Sequence, residues 1–210
     1  MAPEQPDVVL PSQPGLHLVV DRPQGPGAPL IASMAADALQ QGLPVIPILV
    51  DQATPQFRAE LARRGVDVDA AEARGDLIFV DAFSVRVGWA HTNPYTVFVE
   101  QQGPDAILLG LSEAQSGIVE RASEHMVLVD SLSTLLVLEG LPPTYALVQS
   151  LSSLAPRLGS ITVGRVIHGM HGSQEHTSLM HLATTVTDVS RDPQTGQAGT
   201  ERTGWARDGR

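Results

Sequence analysis

The apolar run Leu18-Val19-Val20-Asp21 leads into Arg22-Pro23-Gln24-Gly25-Pro26-Gly27-Ala28-Pro29 and then into a helix-like segment. A strand, a glycine loop and a helix in that order can cradle a phosphate. In the pattern G-x-x-x-x-G-K-[ST], the lysine reaches the terminal phosphates and the hydroxyl holds magnesium. Here Gly25 and Gly27 are kept, but the two chemical positions are Ala28 and Pro29, and Arg22 occupies the first glycine's place. The chain contains no lysine at all, so none can be supplied from elsewhere.

A second landmark is Met126-Val127-Leu128-Val129-Asp130. An apolar strand ending in an acid puts a carboxylate at the sheet's carboxyl edge, where it can reach a magnesium ion. Between the two landmarks, Leu49-Val50-Asp51-Gln52 closes another apolar run. Asp51 can polarise water, whereas Gln52 can orient it but cannot take its proton. Phosphoryl transfer depends on positioning and electrostatic stabilisation, so losing both the lysine and the hydroxyl costs several kcal/mol of transition-state stabilisation. Efficient ATP hydrolysis is therefore not expected.

Binding without turnover is a separate matter. Gly25 and Gly27 leave N–H groups free to meet a phosphate, and the helix start adds its dipole. Pro23, Pro26 and Pro29 remove three donors from the same stretch. Arg22 either stands in for the lysine or fills the phosphate site. The loop is thus a vestigial nucleotide site or a stiffened turn.

Histidine offers other chemistry. His168, His171, His176 and His181 fall in one short stretch with Glu175. Three imidazoles and a carboxylate can bind zinc or nickel, but the spacing matches no common closed site, and a surface or subunit-facing loop is the other reading. Ser131 and Ser133 beside Asp130 lack the G-x-S-x-G elbow of a hydrolase. Zero cysteines exclude disulfides and thiolate catalysis. Without lysine, Schiff-base chemistry is excluded as well.

The elements that must position these residues alternate. Strands are expected at Leu16–Asp21, Val45–Val50, Leu77–Val80, Met126–Asp130 and Ile161–Ile167. Helices are expected at Pro29–Gln41, Thr54–Arg64, Ser112–Ser123 (with Ser112 as its cap) and Pro142–Leu158. Unbroken apolar strands suit a parallel sheet covered on both faces. Ser84–Glu100, with Trp89, Tyr95 and Phe98, reads as an inserted hairpin or extended crossover. Its aromatic residues either cap a core edge or anchor a partner. Leu132 and Leu135 to Leu138 pack the core or an adjoining subunit.

The 210 residues, 42% hydrophobic, fit one α/β domain. Residues 1–15 form a proline-rich lead-in, 16–189 the domain, and 190–210 a polar tail or late hairpin strand. A net charge of −10 disfavours direct nucleic-acid contact. Arg58, Arg63 and Arg64 fall close together on one expected helix, either as a local basic patch or as a solvated helix face. No apolar run is long enough to span a membrane, and no signal peptide is visible, so a cytoplasmic protein is expected.

The order and spacing of these parts resemble the KaiC-like branch of the RecA superfamily of ATPases. The likeness runs from Leu16 to Val189 and includes the glycine loop, Gly42-Leu-Pro-Val45, Asp51-Gln52, Leu77-Ile-Phe-Val-Asp81, Val129-Asp130-Ser131, the strand ending in His168, and His181 to Val189. It implies a RecA-like three-layer α/β domain, a mostly parallel twisted sheet with helices on both faces. It also implies a nucleotide site at Arg22, Gly25, Gly27, Asp51 and Asp130. The departures at Ala28, Pro29 and Gln52 turn that expectation toward a non-catalytic regulatory or scaffolding protein with no cofactor. Its partners would be itself, a related RecA/KaiC-like subunit or another protein. The alternative is a divergent nucleotide-binding protein or weak ATPase that uses Arg22, Asp51 and Asp130 with magnesium and ATP.

Overall fold

The computed structural model describes residues 10–22, 28–89, 93–191 and 198–203. Eight strands form one sheet: β1 (Gly15–Asp21), β2 (Val45–Leu49), β3 (Phe79–Asp81), β4 (Thr96–Phe98), β5 (His125–Val129), β6 (Ser160–Ile167), β7 (Thr185–Arg191) and β8 (Ala198–Thr203). Their spatial order is β4-β3-β2-β5-β6-β1-β7-β8. Every pairing among β1–β7 is parallel, and β8 runs antiparallel to β7. The sheet therefore continues past residue 189, and part of the expected tail is the hairpin strand.

The helices are α1 (Ala28–Gln40), α2 (Thr54–Arg63), α3 (Val68–Arg74), α4 (Ser84–Val87), α5 (Pro104–Val119), α6 (Leu132–Glu139), α7 (Leu141–Leu154) and α8 (Ser173–Met180). The connections from β1 through β4 step one way along the sheet, and those from β4 to β7 step back. Right-handed crossovers then put the two sets of helices on opposite faces. The packing agrees. Ile31, Met34, Phe57 and Leu61 of α1 and α2 cover Leu49, Leu128 and Val163 on one face. Ile107, Leu111, Leu135 and Leu147 of α5–α7 cover Leu18, Ile48 and Val129 on the other. No helix among the described residues is long and apolar enough to cross a membrane.

Several elements differ from expectation. Helix α5 begins eight residues before Ser112, at Pro104 after Gly103 (φ 112°). The reason is its buried stripe Ile107-Leu111-Ala114-Ile118, a 3.6-residue period that starts well upstream of the serine. The stretch 84–100 is not an inserted hairpin: among its described residues α4 is one turn, and β4 joins β3 in parallel at the sheet edge, which makes the connection a crossover. Part of the histidine stretch is helix α8, whose first turn carries Glu175 with its carboxylate accepting from Gly172 N–H at 2.9 Å.

Candidate functional site at the carboxyl edge

Parallel strands bring their carboxyl ends to one edge, where ligands of open α/β sheets bind. Four acids collect there: Asp21 and Asp81 as last residues of β1 and β3, and Asp51 and Asp130 just beyond β2 and β5. Asp21, Asp81 and Asp130 are essentially fully buried, and Asp51 is exposed.

Each buried acid is bound to its own chain. Asp130 Oδ1 accepts from Val50 N–H at 2.7 Å, and Oδ2 accepts from Asp51 and Gln52 N–H at 2.9 and 3.2 Å. The carboxylate thus clamps the turn after β2. Burial pushes the Asp130 carboxyl up to about 7, against the pull of the three backbone donors and with a small push from Asp51. Asp81 accepts from Thr54 Oγ1 and Ser84 Oγ at 2.7 and 2.8 Å, and from the Ser84 and Phe83 N–H groups. Asp21 accepts from Arg22 N–H at 2.8 Å and pairs with Arg165. The exposed Asp51 accepts from Thr134 Oγ1 at 2.9 Å, and Thr134 N–H in turn caps onto Ser131 Oγ.

Arg165 is the residue that sequence reasoning passed over. Strand β6 is inserted between β1 and β5, so its arginine lies between the strands that carry Asp21 and Asp130. Nε is 3.2 Å from Asp21 Oδ2, and Nη1 donates to the Asp130 carbonyl at 3.3 Å. By the strand's two-residue alternation, Arg165 shares the face of Val163 and Val19, the face that α1 covers. A lone arginine inside the apolar run Ile161–Ile167 was the available signal.

Of the residues expected to hold a nucleotide, the structure joins Asp51 and Asp130 through the 50–52 turn. Arg22 is exposed, with its N–H turned to Asp21. Gly25 and Gly27 lie outside the described residues. Arg58, Arg63 and Arg64 are all paired with acids: Arg58 with Asp69 and Glu72, the other two with Glu60. No group of three or more His, Asp or Glu among the described residues is arranged to hold a metal. Trp89 and Tyr95 are exposed, and Trp89 stacks edge-on against Phe83, with centroids 5.9 Å apart.

A shallow recess with a cavity volume of about 10 Å³ opens beside the clamp, lined by Val50, Ala82, Arg86, Gly103, Ile107 and Leu135 among others. Arg86 donates to the carbonyls of Val50 and Ala82 there. The volume falls below the ~300 Å³ at which small-molecule pockets begin.

Three comparisons bear on this geometry. A family model described as "Elongator subunit Iki1" matches residues 10–204. No curated protein matches the sequence. Among solved structures, an uncharacterised protein from Pyrococcus horikoshii in complex with an unknown peptide superposes with a TM-score of 0.70 at 15% identity, covering 93% of this chain and 85% of that one. A KaiC-like protein from Pyrococcus horikoshii OT3 superposes with a TM-score of 0.66 at 17% identity, covering 96% and 83%. At such identities the likeness is one of fold, and that fold is KaiC/RecA-like.

Proposed function

The chain belongs to the Elongator subunit Iki1 family, and on that premise we propose that it is a non-catalytic subunit, a RecA-like scaffold held in a multi-protein assembly. The observation that supports this reading best is the Asp130 clamp. Both carboxylate oxygens already accept backbone N–H groups within the 50–52 turn. Three of the roughly four acceptor positions of the carboxylate are taken up by the chain's own backbone, which favours a structural role over magnesium binding. Gln52 beside Asp51 just beyond β2, and Ala28 and Pro29 at the start of α1 in place of lysine and hydroxyl, point the same way.

The partners we assign are other subunits, either a second copy or a related RecA/KaiC-like chain. Exposed Trp89, Val137, Leu138 and Leu109 offer apolar contact area for them. Direct nucleic-acid contact is not part of the proposal, since the chain is acidic and the helix α2 arginines are engaged by carboxylates.

Calorimetric titration with magnesium and a non-hydrolysable ATP analogue tests the reading, with Asp130→Asn run beside the wild type. Flat traces for both are expected. Saturable heat in the wild type that disappears in the variant would establish the alternative, a nucleotide site using Arg22, Asp51 and Asp130. Sedimentation analysis tests the scaffold half: the chain should move to a larger, defined species when RecA-like subunits of the same assembly are added. Independent sedimentation of all components would overturn it.

A further inference from the structure

The stretch after β6 returns to the carboxyl edge by a different route. His168 N–H donates to the Asp21 carbonyl at 2.6 Å, which ties the start of this stretch to the end of β1. The His168 and His176 rings then meet edge-on, with centroids 5.5 Å apart and planes at 88°. Two polar atoms nearby are buried with no hydrogen-bond partner: Nε2 of His171 and Oδ1 of Asp188. Asp188 lies on β7 in register with Val20 of β1.

Two unpartnered buried polar atoms are costly in a cluster of titratable groups. Such a cluster costs least in one protonation state and loosens in another. We propose that His168, His171, His176 and Asp188 form a proton-operated latch that holds α8 against the ends of β6 and β7 and releases it on acidification.

The charges around it decide the sign. On α8 itself, Glu175 is occupied by the Gly172 N–H and His181 stands at the helix end. From α7, which packs on α8, the only ionisable side chain is Tyr145. Burial holds the His176 imidazole below its ordinary value, and His168 and His171 push the same way, while Asp188 opposes them. A histidine whose folded-state value is lowered contributes stability above its unfolded value, near 6.5. That contribution is lost as pH falls through the lower, folded value. Protonating more than one imidazole then sets like charges side by side at a contact of 5.5 Å. The latch is therefore closed at neutral pH and opens in acid.

Hydrogen exchange read by mass spectrometry at about pH 7.5 and about pH 5.5, corrected for intrinsic rates, tests this on the full chain. Peptides covering 168–181 should lose about tenfold or more of their protection at the lower pH, while β2 and β5 hold theirs. His176→Gln should abolish the pH response of those peptides. Asp188→Asn should shift the opening in the wild-type direction but toward lower pH, since it removes the charge that favours protonation of His176. Protection at 168–181 that is unchanged between the two pH values, or that changes equally in His176→Gln, overturns the latch. Unaltered protection in β2 and β5 guards against reading global unfolding as local release.

Discussion

Nε of Arg165 lies 3.2 Å from Oδ2 of Asp21, and both side chains are buried, at 9% and 0% exposure. Strands β1 and β6 are adjacent, so the pair bridges two neighbouring strands at the edge where a nucleotide would otherwise lie. The guanidinium also reaches the Asp130 carbonyl. One buried cation is thus shared by the ends of both motif strands, and its charge is balanced from within the chain.

Breaking this pair from one side should be severe. Arg165→Met takes the buried guanidinium away from Asp21, and such losses cost about 3–5 kcal/mol. Asp21→Asn combined with Arg165→Met should cost less than the sum of the single changes, because neither partner is then left as an isolated charge. Urea denaturation of the four proteins of this cycle measures the coupling. Additive losses would show that the two residues act independently.

The Asp130 clamp gives a pH prediction whose sign follows from burial. The folded carboxyl stands at about 7, above the ordinary aspartate value of 3.8. A raised folded value contributes stability that is complete below the unfolded value and lost as pH rises toward the folded one. Relative to Asp130→Asn, the wild type should therefore lose stability between about pH 4 and about pH 7 and level off above. At about pH 5 the variant should be the less stable by about 1–3 kcal/mol, since its amide puts donors where backbone N–H groups need acceptors. Denaturation midpoints of both proteins across this range are the check.

The parts of the fold written in periodicity were legible, and those written in partners were not. The sheet's unbroken apolar runs announced parallel strands, and Asp130 could be placed at a strand end from its four apolar predecessors. What it binds could not, because Val50, Asp51 and Gln52 are 78 to 80 residues away. Helix α6 carries leucines on every side, so no stripe marks it. Only its cap, Ser131 with the Thr134 N–H, and Gly140 at its end define it. Helix α8 hides for the opposite reason: Leu179 is its one buried residue, and the six polar residues before it read as loop.

Buried His125 adds a second pH dependence, at the amino end of β5. Its Nε2 lies 3.0 Å from the Gln115 amide nitrogen, Nδ1 is buried without a partner, and burial lowers its value from 6.5. The folded state therefore resists the proton that the unfolded chain accepts below about 6.5, and stability falls with pH from there downward. His125→Gln should flatten the acid limb of the stability curve without changing the neutral plateau's slope. An identical acid limb in the two proteins would assign that loss to other groups.

Gly164 tests how tightly α6 must sit behind the clamp. A Cβ at Gly164 would lie 2.6 Å from Leu132 Cδ1 and 3.3 Å from Leu18 Cδ2. Leu132 is fully buried in the first turn of α6, so it has little room to swing away. Gly164→Ala should therefore cost about 1–3 kcal/mol through overpacking, despite being an ordinary change in a strand. Relief of the contact pushes Leu132 and the start of α6 outward, and that turn also carries Thr134, the donor to Asp51. The substitution should thus raise hydrogen exchange at residues 50–52 as well as in α6, and adding Leu132→Ala should return protection at 50–52 toward wild type. Destabilisation confined to β6, with no change at the 50–52 turn, would show that the clamp stands independently of α6.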